Sequence, residues 1–376
     1  MIGFWPKKKL AKFPVILICI CLISIACSSD PDDRDKPTDK NPGIPIRVDS
    51  RIELFSTIHR LAGTNQYVSN DLPGYIQDVE EYFAPFRNLG AVKLAIALRK
   101  SHNLDGNSPM AIAAYLTDPP SLDERAPLIP PPYDLDRRWT PDAISIFLDA
   151  ARDFARKTDF MSFFDAHRPL YIRATQNLRL TLENTDLISW FQDYFGYQPD
   201  DYVIIIGLQN GTCNYGSSVT LEEGRREFNS LLGANRPDKS GAPQYPSSVI
   251  PIIVHEFCHS YVNPLIDRHV EKFQKAGMAI FPHLEQKLRR WGYNHWYVMV
   301  YEYVVRACVI RYVHAQEGEK AARNKILEDE RAGFLGIAEL VELLVDYENR
   351  RDEYPDMEAF LPRIIAYFEQ YASTFK

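Results

Sequence analysis

"IPIIVHEFCHSYVNP", residues 250–264, decides how this chain is read. Placed on a helix, His255 and His259 stand about one turn apart and project from one face. That separation suits two ligands of one tetrahedral Zn²⁺ ion. Glu256 follows the first histidine. From there its carboxylate can reach a metal-bound water without itself ligating the metal, and can take a proton from it as general base. Ile252, Ile253 and Val254 precede the pair, Phe257 and Cys258 lie within it, and Ser260 and Tyr261 follow, so the surroundings are uncharged. A bare HExxH arises by chance on the order of once per hundred chains of this length. The competing reading is an ordinary helix whose histidines bond neighbouring polar groups.

A zinc site needs a third protein ligand. Downstream, "YNHWYVMVYEYVVRACVIRYV" (293–313) is apolar with helical spacing, and between 295 and 310 only Glu302 and Arg306 carry formal charge. A buried carboxylate is costly unless it is paired or binds a metal. Glu302 is therefore the expected third ligand, with Arg306 at i+4 as its supporting partner. Glu285 and then Asp267 are the alternatives. Asn263, four residues after His259, is expected either to bond a ligand or to end the helix before Pro264. His295, seven residues before Glu302, is the candidate donor to a developing oxyanion, ahead of Tyr297 and Tyr301. His167, in "FFDAHRPLY", is expected to cap or pack rather than ligate.

The elements around these residues predict an α+β chain, mostly helical, with a small antiparallel sheet placed before the histidine helix. "RIELFSTIHRLAG" (51–63) has helical spacing and stops at Gly63. Seven prolines fall in 118–141, marking a loop or lobe boundary. Helical spacing resumes from a Thr140 cap with Pro141 behind it. "YVIIIGLQNG" (202–211) reads as a strand closed by an Asn-Gly turn. "TCNYGSSVT" (212–220) reads as an edge strand, and "REFNSLLGA" (226–234) as a third. Helices follow from about 247. The expected lobes are helical over 51–195, sheet and metal site over 200–325, and C-terminal helices over 326–376.

Residues 1–26 are set apart as a signal peptide. Lys7, Lys8, Lys9 and Lys12 precede an apolar run, "FPVILICICLISIA", that is short for a membrane span. Ala26-Cys27 then resembles a bacterial lipoprotein cleavage site, with Cys27 the lipidated residue, although Ser24 stands where leucine is more usual. "SSDPDD" (28–33) resembles the acidic signal of surface-facing outer-membrane lipoproteins. Residues 27–50 read as the lipidated cysteine and a flexible tether, and 51–376 as the domain. The expected location is the bacterial cell envelope, with the membrane reached through the lipid. Loss of four lysines moves the formal charge from −7 to −11, which makes the chain a poor prospect for nucleic acid, so none is expected as a partner. Cys213, Cys258 and Cys308 remain, an odd number at wide spacing that implies no disulfide framework.

"HEFCH" with a glutamate on a later helix resembles the gluzincin branch of the zincin metallopeptidases. "HEFCHSYVNP", "YEYVVRA", "RLAG", "FFDAHRPLY" and "YVIIIGLQNGTCNYGSS" together look like a bacterial family of predicted metalloproteases catalogued as a domain of unknown function. The resemblance covers about residues 51–345. It implies a zincin-like domain, one Zn²⁺ on His255, His259 and Glu302, Glu256 as base, and a peptide or protein substrate. "CNYGSSV" (213–219) would then be the sheet edge along which a peptide pairs. Cys258 stands where such helices often carry a smaller residue. Two other expectations stay open: a zinc-containing surface protein that binds peptides or glycans without turnover, and hydrolysis of a non-peptide amide.

Overall fold

The structure is a computed structural model that describes residues 43–375. The signal peptide, Cys27 and the first part of the expected tether lie outside the described residues. The described residues fall in one compact unit. No helix among the described residues is long and apolar enough to cross a membrane.

The chain opens with β1 (Ile46–Val48) and α1 (Ser50–Leu61). A run of helices follows: α2 (Pro73–Phe83), α3 (Gly90–His102), α4 (Ser108–Ala114), α5 (Pro141–Lys157), α6 (Phe160–Ala166), α7 (Arg168–Leu182) and α8 (Leu187–Phe195). Then come β2 (Asp201–Gly207), β3 (Tyr215–Thr220) and β4 (Arg226–Gly233). The remainder is helical: α9 (Ile250–Asp267), α10 (Val270–Leu288), α11 (Trp296–Glu317), α12 (Glu319–Ala332), α13 (Ile337–Asn349) and α14 (Met357–Ser373). The α+β class expected from the sequence is the class observed.

The sheet is mixed, not antiparallel. Its order is β1-β2-β4-β3. β1 and β2 are parallel, with Ile46 opposite Ile204, and β2 and β4 are parallel, with Ile204 opposite Ser230. Only β3 runs antiparallel to its neighbour, with Gly216 opposite Ser230. The physical reason lies in "YVIIIG" and "EFNSLLG". Consecutive residues of β2 and β4 are buried, polar ones of β4 included, so both faces are covered, and the near-continuous apolar run of β2 belongs to an interior parallel strand. β3 keeps a looser, half-buried pattern, as an edge strand does.

The expected boundary at residue 50 also moves. Ile44 is buried and β1 pairs with β2, so 44–50 belong to the fold rather than to a tether. Every residue of α1 is buried, its polar ones included, so each of these needs a partner. Arg51 donates to both oxygens of Asp49 and, through Nη1, to the Leu116 carbonyl at 2.7 Å. Glu53 accepts from Leu208 N–H at 2.7 Å, from Tyr75 hydroxyl at 2.9 Å and from Gln209 at 3.1 Å, tying α1 to the turn after β2.

Burial opposes ionisation of Asp49, but the Arg51 hydrogen bonds and charge outweigh it and hold the carboxyl below its usual range. A depressed carboxylate stabilises the fold at neutral pH, and that stability is lost as acid protonates it. Arg51→Met leaves Asp49 buried and charged. We expect it to lower stability by about 3–5 kcal/mol in urea unfolding at neutral pH, with a smaller deficit in acid. A loss under about 1 kcal/mol at neutral pH would show that the pair does not anchor α1.

Candidate metal centre

α9 starts after the Ser247–Val249 turn, with Pro251 in the first turn, where its missing N–H has no partner to lose. Ile253, Val254, Phe257, Cys258, Tyr261 and Val262 are buried, several of them against the neighbouring strands and α8. Ile252, His255, His259 and Asn263 form the accessible stripe at helical spacing, and all four line one cleft of about 2060 Å³. α9 does not end at Asn263. It continues through Pro264 to Asp267, so the helix-ending reading of Asn263 is corrected. Its amide oxygen lies 3.1 Å from His259 Nδ1, which fixes that nitrogen as donor and leaves Nε2 for a ligand.

α11 packs beside α9 and supplies Glu302, which is 4% exposed. His255 Nε2 lies 3.1 Å from His259 Nε2. Glu302 Oε1 is 3.3 Å from His259 Nε2, and Oε2 is 3.6 Å from His255 Nε2. A four-coordinate metal with bonds of about 2.0 Å needs donors about 3.3 Å apart. The three measured separations bracket that value, and no other group of His, Cys, Asp and Glu among the described residues converges in this way. The donors fit a metal ion with one position left open.

The electrostatics agree with a site built for a cation. Burial pushes His255 down to about 3, so its imidazole is neutral and free to ligate. Burial works against the charged form of His259 as well, but the Glu302 hydrogen bond and charge prevail and raise it to about 9. Burial would raise Glu302 too, yet the facing imidazoles, with the His259 hydrogen bond, and the Arg306 charge hold it well below the carboxylate range. Glu256 is buried beside the triad, and burial raises it to about 7. The Gly216 N–H, from β3, faces its carboxylate and favours the charged form, a smaller effect than burial.

The other expected residues fall as follows. Arg306 stands behind Glu302, with Nε 3.1 Å from Oε2. His295 is not on the helical face assumed for it. It is the N-cap residue of α11 with extended backbone, exposed on the cleft wall and stacked on Tyr297 at 5.2 Å. Tyr301 donates to Asp267, which Arg137 also meets at 3.2 Å, so Asp267 is not a ligand. Glu285 pairs with Arg289 at 2.6 Å on the surface and is likewise excluded. His167 bonds the Phe163 carbonyl and Asp78. Cys258 is fully buried and burial pushes its thiol up, away from reactivity.

Three contributors went unread in the sequence. Tyr293 accepts from Arg306 and stands beside Glu302, and Asp329 on α12 accepts from Arg306. No local spacing links either to the triad. Gly216 did carry a signal, because a glycine inside a strand marks a close backbone approach. A Cβ there would lie 2.1 Å from the Glu256 carbonyl oxygen and 3.1 Å from His259 Cβ.

The chain belongs to the family described as Domain of unknown function (DUF4932). That family matches residues 132–367, a span that contains β2, β3, β4, α9 and α11, and so the whole triad and Glu256. No curated protein and no solved structure matches the chain. The DUF4932 description names no activity, so the chemistry rests on the geometry above.

Gly216→Ala tests the contact between strand and helix. We expect a stability loss of about 1–3 kcal/mol in thermal or chemical unfolding from overpacking, together with weaker metal binding. Gly74→Ala, at a helical position with open space around it, serves as control and should leave both unchanged. Equal behaviour of the two variants would show that β3 does not set the position of Glu256.

Proposed function

We propose that this DUF4932 chain is a zinc-dependent hydrolase and acts on peptides. One observation carries the reading: two imidazole nitrogens and a carboxylate oxygen converge at metal-ligand spacing, with a buried carboxylate beside them that is not part of the donor set. Two histidines and a glutamate with an open fourth position form a donor set suited to catalytic zinc. His255, His259 and Glu302 would hold the ion, one per chain. Bound there, zinc would supply Lewis acidity, polarising a carbonyl group and acidifying water.

The remaining work falls to the chain's own side chains. Glu256, raised to about 7 by burial, is suited to accept a proton from the attacking water and return it to the leaving amine as the C–N bond breaks. The Gly216 N–H steadies that carboxylate. The His295 carbonyl accepts from Met299 N–H, but its imidazole makes no hydrogen bond among the described residues and is our candidate donor to the substrate carbonyl oxygen. β3 supports a peptide over other amides. Thr220 N–H goes to the Tyr115 hydroxyl at 3.3 Å, and Gly216 N–H faces the Glu256 carboxylate, so alternate residues of β3 turn their backbone groups away from β4. By the same alternation, Ser218 offers its N–H and C=O to an extended chain in the cleft. We extend the proposal to location: a lipid on Cys27 would hold the domain at the bacterial envelope, probed by labelling with a palmitate analogue in cells.

The test is metal stoichiometry and peptide-library profiling of the purified protein and its Glu256→Gln variant. We expect near one zinc per chain in both, cuts by the wild type that vanish with chelator and return with zinc, and a rate loss of at least about 100-fold in the variant. Turnover retained by Glu256→Gln would remove Glu256 from its role. Zinc bound without any cut across diverse libraries would favour a peptide- or glycan-binding protein instead.

A further inference from the structure

Glu302 is gripped from behind by a chain of side chains that reaches a separate helix. Arg306 uses each of its nitrogens on a different partner. Nε meets Glu302 Oε2 at 3.1 Å, Nη1 meets Asp329 Oδ1 at 2.7 Å and Nη2 meets the Tyr293 hydroxyl at 3.2 Å. Its guanidinium lies 4.2 Å over the Phe334 ring. Asp329, 1% exposed, also accepts from Lys325 at 3.0 Å. The four charges alternate in sign, so the buried cluster is close to neutral. The Tyr293 hydroxyl, beside both Glu302 and Arg306, is the uncharged member.

This arrangement restricts what Arg306 can do. A free guanidinium beside a carboxylate takes both oxygens in a bidentate pair. Here Asp329 and Tyr293 occupy Nη1 and Nη2, so Arg306 reaches Glu302 through Nε, at Oε2. Oε1 is left toward His259 at 3.3 Å. We propose that Tyr293 and Asp329 are positioning residues of the metal centre: by holding Arg306 they confine it to one oxygen of Glu302 and keep the other as a single, oriented ligand. The role needs no contact with the metal or with substrate. It rests on the metal-binding reading of the triad, but not on the peptidase reading.

The test measures metal retention directly. Zn²⁺ affinity is read by competition with a chromophoric chelator, and Co²⁺ spectra report ligand geometry, for wild type, Tyr293→Phe, Asp329→Asn and Arg306→Lys. Thermal unfolding of the metal-free proteins runs alongside. We expect Tyr293→Phe and Asp329→Asn to weaken Zn²⁺ binding by about 10-fold or more and to shift the Co²⁺ spectrum. Arg306→Lys should not restore the wild-type spectrum, because an ammonium cannot serve three fixed partners. Tyr293→Phe removes one hydroxyl and should stay folded, so it decides the matter even if Asp329→Asn unfolds. Wild-type affinity and spectrum in a folded Tyr293→Phe would overturn the role assigned to Tyr293, and the same result in Asp329→Asn that of Asp329. Lower turnover at unchanged affinity and spectrum would overturn positioning in favour of direct contact with substrate. No Zn²⁺ or Co²⁺ bound by the wild type would overturn the metal centre itself, and this inference with it.

Discussion

A carboxylate buried at 4% exposure in an apolar helix is the constraint on which the centre of this molecule depends. Glu302 cannot be accommodated in α11 unless something compensates its charge, because a lone buried carboxylate costs several kcal/mol. Compensation comes from two sides. Arg306 supplies a full charge from behind, and the two imidazoles of α9 supply nitrogens in front. The packing of α9 on α11 is therefore more than apolar burial. It brings three polar donors to one point and leaves the space between them for a cation. Without a cation, the same groups satisfy one another only in part, since two imidazole nitrogens 3.1 Å apart share at most one proton between them.

The second constraint comes from the sheet. β4 precedes α9 in the chain, and α9 packs back across β4 and β3. β3 can approach the helix so closely because Gly216 has no side chain, and its N–H then meets the Glu256 carboxylate. The strand that would bind a ligand thus touches the residue that would act on it. Displacing β3 by a few tenths of an ångström would be felt at the base and at His259 together.

The histidine helix is legible because its signal is local. His255, Glu256 and His259 are separated by one helical turn, and turn geometry needs no tertiary information. Glu302 was legible for a different reason: a charge in a long apolar run demands a partner, whatever the fold. Tyr293 and Asp329 escaped because each acts through Arg306, and neither spacing nor burial pattern reports an indirect contact. The Asn-Gly turn after β2 suggests a hairpin, and with it an antiparallel sheet. The apolar run of β2, without alternation, points instead to an interior parallel strand. β1 was missed because "IPIRV" is only a few residues long and stands beside a charged, proline-rich stretch, where composition outweighs pattern.

The strand order explains why an open edge exists beside the histidines at all. If β3 had paired between β2 and β4, as sequential hairpins would place it, both of its edges would be used and no backbone group would face the cleft. Instead β2 and β4 pair directly, and β3 is displaced to the outside. Parallel pairing of β2 with β4 forces the connecting chain to return along the sheet, and β3 is that return. The outermost strand is then the one crossed by α9. An exposed edge is usually protected against chance pairing. Here the Tyr115 hydroxyl covers it at Thr220 and the Glu256 carboxylate at Gly216. What stays open between them is short and lines the same cleft as the triad.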